Sequence, residues 1–302
     1  QNLFNKINRK ELKIALANES FNRVTVSFYK YFKIDSPSDF RDRIYTKLDQ
    51  LKIFGRVYVA KEGINAQISI PEYNWNSFLE ELGKVEELNN IPLKKALNGG
   101  KSFYKLVVKI KNELVAYNLK KGSYNMKKTG KHLTAEEYNK RLDNPETIVV
   151  DMRNYYESEI GRFKGAIVPN VETSKELLPE VKSLLKGKQE KEILLYCTGG
   201  IRCEKASSYL IQHGFKNVSQ LQGGIIQYAH EVKAKGLESK FIGKNFVFDE
   251  RLGERVTEDI ISYCHICDLP CDHHTDCKND ACHILFIQCD TCSEKLNGCC
   301  SK

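Results

Sequence analysis

The sequence predicts a multidomain protein: an α+β domain, then a parallel α/β domain, then a cysteine-rich metal-binding segment. Three observations carry this reading. At 302 residues the chain is longer than one ordinary core requires. Strand-like and helix-like patterns alternate twice along it, first over residues 21–110 and again over 133–236. Nine of the eleven cysteines fall between Cys264 and Cys300, a clustering that reads as metal binding rather than as a disulfide framework. The expected segments are therefore 1–117, a basic linker 118–132, 133–236 and a tail 237–302.

Within the first segment, Val24 to Tyr29 alternates as a strand, and Pro37 to Leu51 has helical spacing with Ser36 available as its cap. Gly55 to Ala60 and Ala66 to Ile70 are strands separated by the turn-like run Lys61–Asn65. A second helix is expected from about Tyr73 to Leu88, and Phe103 to Ile110 closes the set. The order β-α-β-β-α-β is the ferredoxin-like arrangement. Many functions use that fold, so it names none of them.

The chain carries a formal charge of +8, and the excess belongs to residues 1–130, where Lys and Arg are nearly twice as numerous as Asp and Glu. The remainder is slightly acidic. A localised positive field suits a polyanionic partner, with nucleic acid first; a solvated lysine-rich surface is the competing reading. The linker supplies Lys120, Lys121, Tyr124, Lys127 and Lys128. Cations beside one ring suit a phosphate backbone and an unstacked base, and they equally suit an exposed tether. Tyr58, Lys61 and Asn65, flanking the turn of the first domain, are further candidate RNA contacts.

In the second domain, Thr134 caps a helix to Leu142, while Thr147–Asp151 and Lys191–Tyr196 read as buried strands. Parallel sheets place their sites at the carboxyl ends of strands, and Cys197 stands at such an end. It opens the run Cys197-Thr198-Gly199-Gly200-Ile201-Arg202 before a helical pattern from Glu204 to His213. Backbone N–H groups curled around a sulfur, with the charge of Arg202 nearby, stabilise its anion. Cys203 is a second thiol, read as packing on the first helical turn in preference to resolving an oxidised Cys197. Asp151 is expected to orient the strand-end loop and Arg153 to form an ion pair.

Cys264-His265-Ile266-Cys267 and Cys289-Asp290-Thr291-Cys292 are two CxxC knuckles, whose four thiolates would complete a tetrahedral zinc site, favoured over an iron–sulfur cluster or disulfides formed in air. Cys271, Cys277, Cys282 and one of Cys299 or Cys300 offer a second site, with His273, His274 or His283 as substitutes. So short a tail has little core, and metal binding supplies much of its folding energy. No apolar run approaches the ~20 residues that span a bilayer, and no secretory pattern opens the chain. A cytoplasmic protein without membrane association is expected.

Particular residues carry a resemblance. Asp151-Met152-Arg153-Asn154, Glu157 and Gly161 to Ala166 resemble the first signature of rhodanese domains. Gly214-Phe215, Val218, Leu221 and Gly223-Gly224 resemble the second. Cys197 to Arg202 is similar to the rhodanese active-site loop, which implies that Cys197 is the persulfide-forming cysteine. The loop is one residue shorter than that with which tyrosine phosphatases cradle phosphate, and this sets phosphatase chemistry aside. Arg162 stands where many rhodaneses carry histidine.

The resemblance extends further. Val57 to Gln67, Cys197 to Ser207, Phe246 to Arg251 and the cysteine-rich tail together resemble the bacterial tRNA uridine hydroxylase family. That implies a tRNA partner and oxygen-dependent formation of 5-hydroxyuridine at the wobble position. Molecular oxygen would be the co-substrate, and Cys197 the nucleophile or persulfide carrier. No flavin or nicotinamide fingerprint and no iron triad marks an electron donor. The rhodanese loop taken alone supports a different class, a sulfurtransferase passing sulfane sulfur from Cys197 to a small acceptor or a partner protein.

Overall fold

The computed structural model describes residues 3, 7–120 and 122–301, so the candidate RNA contact Lys121 lies outside the described residues. The chain divides into two units. The first runs to Asn118 and takes back Asp249–Arg251; the second holds Leu119–Phe248 and the chain from Leu252 onward.

In the first unit, α1 (Arg9–Ala17) starts where the Asn8 side chain accepts from the Lys10 N–H. It is followed by β1 (Arg23–Tyr31), α2 (Pro37–Gln50), β2 (Phe54–Ala60), β3 (Gly63–Pro71), α3 (Trp75–Gly83), β4 (Lys94–Lys95) and β5 (Leu106–Ile110). Ser36 caps α2 and a proline opens it, as expected. The sheet order is β4-β1-β3-β2-β5. Neighbours are antiparallel except β2 and β5, which are parallel. Alternate residues point inward, among them Val26, Phe28, Val57, Val59, Ile64 and Ile68, and bury against Phe40, Ile44, Leu48 and Phe78 of α2 and α3.

One element differs from expectation. The closing strand expected over Phe103–Ile110 forms as β5 beside β2, and the edge beside β1 is filled by the two-residue β4, held by Ala96 N–H donating to the Thr25 carbonyl (2.9 Å). β5 extends the opposite edge instead. Leu106 and Val108 give β5 the stronger strand pattern, whereas two lysines carry none. Pairing of β4 is therefore imposed by its neighbour rather than by its own side chains.

The second unit contains β6 (Lys131–Leu133), α4 (Ala135–Leu142), β7 (Ile148–Asp151), α5 (Tyr155–Glu159), β8 (Gly161–Phe163), α6 (Ser174–Leu184), β9 (Glu192–Tyr196), α7 (Ile201–Gln212), β10 (Asn217–Leu221) and α8 (Gly224–Lys235). Four parallel strands are ordered β6-β10-β9-β7. Ile193 to Cys197 is buried without interruption, as a strand covered on both faces should be. Phe163 sits at the core with the rings of Tyr196 (4.7 Å), Tyr228 (4.8 Å) and Phe241 (5.4 Å) edge-on around it.

Beyond α8, β11 (Phe241–Asn245) pairs with β8 and with β12 (Glu254–Arg255). The tail adds the antiparallel pair β13 (His274–Asp276) and β14 (Leu285–Ile287), then α9 (Asp290–Lys295). Cys264, Cys271, Cys292 and Ile287 from the tail pack with Ile160 and Phe246.

The segment read as a linker is fastened along α7. Asn125 N–H donates to Ser208 Oγ (2.8 Å) and Gly130 N–H to Ser207 Oγ (2.8 Å), while Lys205 Nζ lies 5.3 Å from the centre of the Tyr124 ring. Among the described residues no helix is long and apolar enough to cross a membrane.

Candidate active site and metal centre

The chain leaves β9 at Tyr196, whose hydroxyl donates to Asp151 Oδ2 (2.6 Å). Asp151 also receives Arg153 through Nε (2.8 Å) and Nη2 (2.6 Å), and both side chains are fully buried. This is the expected ion pair, and Ser158 Oγ completes it at 2.8 Å. The strand end is thereby fixed before the cysteine loop begins.

The loop is held from the far side by α8. Ile225 and Ile226 N–H groups donate to the carbonyls of Cys197 (3.0 Å) and Thr198 (3.2 Å). For this approach residue 224 must be glycine. A Cβ there would stand 2.5 Å from the Thr198 oxygen and 2.6 Å from the Cys197 oxygen, at a φ of +69°. Gly224→Ala is expected to cost about 2 kcal/mol or more, read as a lower denaturant midpoint, and to slow alkylation of Cys197. An unchanged midpoint would mean that the loop has room to spare.

Cys197 is fully buried, with Thr198, Gly199 and Ile201 half exposed around it. Gly200, at a φ of +100°, aims its N–H at the sulfur (3.2 Å). Burial opposes a charge on the thiol. The Cys203 thiol, the Arg202 charge and the N–H groups of Cys203 and Gly200 outweigh it, bringing Cys197 down to about 6. Cys203 is itself buried, and burial with the adjacent Cys197 sulfur pushes its own thiol well up. It therefore packs at the first turn of α7 and also donates to its neighbour.

Arg202 is braced. Its guanidinium meets both oxygens of the buried Glu157 (2.6 and 2.9 Å) and Thr198 Oγ1 (3.1 Å). In the sequence Glu157 stands out only as part of the first rhodanese-like signature. The signal that finds it is the capping box on α5, in which Glu157 Oε2 also accepts from Asn154 N–H (3.0 Å). Glu157→Gln is expected to destabilise the protein by about 3 kcal/mol. Loss of the carboxylate charge should also move the Cys197 titration below about 6, seen in the pH dependence of alkylation. A titration that rises instead would show Arg202 swinging away from the sulfur.

In the tail, the sulfurs of Cys264, Cys267, Cys289 and Cys292 lie within 4.8 Å of one another, and all eleven cysteines are free thiols. Cys289 N–H donates to Cys264 Sγ (3.4 Å). Burial disfavours a charge on Cys264, but N–H groups of Cys289, Ile266 and Cys267 outweigh it and lower the thiol to about 6. Four convergent soft donors, one readily ionised, can hold a metal ion.

A second group joins Cys277, Cys282 and Cys300. Of the alternatives Cys299 and Cys300 it is Cys300 that joins, while Cys271, expected with them from spacing, stands apart. Cys271 is pinned to Ser262 through both its N–H (3.0 Å) and its carbonyl (2.6 Å), with its side chain in the apolar cluster. His273, His274 and His283 belong to neither group. His274 is buried against Phe246, and burial holds its imidazole down to about 4.

The candidate RNA contacts fall in both units. Tyr58 and Asn65 oppose each other across β2 and β3, with Lys61 exposed at the turn. Lys120, Lys127 and Lys128 are exposed, while Tyr124 is half-buried beneath Lys205.

Residues 23–114 match the family described as UPF0176 acylphosphatase like domain, residues 134–231 the rhodanese-like domain, and residues 242–302 the rhodanase C-terminal family. The tRNA uridine(34) hydroxylase of Photorhabdus laumondii is 50% identical over 302 residues, covering 99% of this chain and 86% of that protein. Those of Pectobacterium carotovorum and Hamiltonella defensa are 50% and 51% identical over 301 residues, covering 99% of this chain and 85% of each relative. Identity of this degree runs through both units and the cysteine-rich tail, and the chain belongs to the tRNA uridine(34) hydroxylase family.

Proposed function

We propose that the protein converts uridine 34 of tRNA to 5-hydroxyuridine, using molecular oxygen and Cys197 as the nucleophile. The full-length kinship with proteins named for that activity carries the reading. The sulfur environment supports it: a thiol lowered to about 6 is an anion at neutral pH. Carbon 6 of uracil is electrophilic because it is conjugated to the carbonyl at carbon 4. Sulfur addition there forms the C–S bond and leaves enolate character at carbon 5, dividing one hard step into two. Carbon 5 then takes one oxygen atom. Loss of its proton and departure of the thiolate restore the ring. The second oxygen atom leaves as water, which requires two electrons and two protons from a donor. A base in the anticodon loop is already unpaired, so little unstacking energy opposes its capture.

Cys264, Cys267, Cys289 and Cys292 would hold zinc, a structural ion that braces the tail. A cytoplasmic location fits a tRNA substrate. The test is nucleoside mass spectrometry of tRNA from a bacterial strain lacking 5-hydroxyuridine, carrying this gene. Appearance of 5-hydroxyuridine at position 34 is the expected result. Its absence, with the protein folded and abundant, would transfer the reading to sulfur transfer from Cys197.

A further inference from the structure

The sheet of the first unit has two unlike faces. One is sealed by α2 and α3 over Val57, Val59, Ile64 and Ile68. The other carries rows of polar and aromatic side chains in register across four strands. Tyr29, Asn65, Tyr58 and Lys109 form one row, and Ser27, Gln67, Arg56 and Val107 the next. Tyr58, Asn65 and Gln67 are half-buried, and Arg56 and Lys109 exposed.

Three features separate this face from an ordinary solvated one. None of the outward residues on its strands is acidic, although opposite charges placed across strands are the usual stabilising arrangement. The side chains of Asn65, Gln67, Arg56 and Lys109 make no hydrogen bond or ion pair among the described residues. Cations also approach the rings, with Lys111 Nζ 5.1 Å from the Tyr58 centroid and Lys94 Nζ 4.8 Å from that of Tyr29.

We propose that this face binds an unpaired stretch of RNA, the anticodon loop of the substrate, as a base-stacking platform. Tyr58 and Tyr29 are separated by one intervening strand, so their rings stand roughly 10 Å apart, a spacing that suits two bases splayed over a sheet. Planar rings stack on bases without regard to sequence. The free amides of Asn65 and Gln67 between them can donate to and accept from base edges. Arg56, Lys109 and Lys111 supply the charge for the phosphates, and the missing carboxylates remove the repulsion a polyanion would meet. The identity of the RNA rests on the hydroxylase reading; the binding of an unpaired strand does not.

The test uses the full-length protein and fluorescence anisotropy with a labelled anticodon stem-loop bearing uridine 34, beside a labelled duplex RNA of equal length. Tyr58→Ala is expected to weaken stem-loop binding about tenfold. Tyr58→Phe, which keeps the ring, should stay within about threefold of wild type, and Arg56→Ala should reduce the salt dependence. Lys140→Ala, an exposed lysine of α4, is the charge control and should change nothing. Wild-type affinity in Tyr58→Ala would overturn the platform even if hydroxylation is intact. Equal weakening of stem-loop and duplex would do the same, reducing the face to simple electrostatics. Binding that depends on Tyr58 in a protein that forms no 5-hydroxyuridine would keep the platform and defeat the hydroxylase reading.

Discussion

Cys197→Ser is expected to lower the rate of 5-hydroxyuridine formation by about a thousandfold or more. Serine matches the buried cavity and can still accept the Gly200 N–H, so the variant should fold. What it loses is ionisation. The interactions that bring the thiol to about 6 act equally on the hydroxyl, but start from a group far less acidic. Almost no alkoxide then exists at neutral pH, and addition to carbon 6 stops. The wild-type enzyme should show the matching pH profile. Its thiol-dependent rate should be flat above about 6 and fall tenfold per unit below it, because protonation removes the nucleophile. Time courses on purified tRNA followed by mass spectrometry would check both. A serine variant within tenfold of wild type would take Cys197 out of the bond-making step.

Removing the zinc proposed for the tail should be as drastic for structure. Elemental analysis is expected to find zinc in the purified protein. Chelation, or Cys289→Ser, should leave the tail open to proteases while the parallel sheet stays resistant. The apparent binding energy of a structural zinc, about 10 kcal/mol or more, exceeds what so small a cluster of apolar side chains could replace. Ile287, Cys264 and Cys292 also cover Ile160 and Phe246. Loss of the ion should therefore expose the end of α5, next to the Arg153 network. A metal-free tail that resists digestion would show that packing alone suffices.

Where side-chain pattern decides the structure, the sequence was readable. β1, β2 and β3 have alternating apolar residues, α2 has its Ser36 cap, and Ile193–Tyr196 is a continuous apolar run ending on Cys197. The four-thiol group followed from two CxxC turns, because each turn brings its own pair together. Features set by distant partners were hidden. β4 is two lysines recruited by β1. Glu157 finds Arg202 across 45 residues of sequence. The exclusion of Cys271 from the second thiol group depends on Ser262 and an apolar cluster, neither of which spacing records.

The return of Asp249–Arg251 to the first unit bears on how the chain matures. Glu250 N–H donates to the Ser102 carbonyl (3.0 Å), Glu250 pairs with Lys13 (2.5 Å), and Arg251 reaches the Asn98 carbonyl (2.9 Å). During synthesis these partners emerge from the ribosome long after the first sheet. The amino-terminal unit then waits, lacking its last contacts, until the parallel sheet behind it has been made. Domains usually complete themselves in order of emergence; here the first to begin cannot be the first to finish.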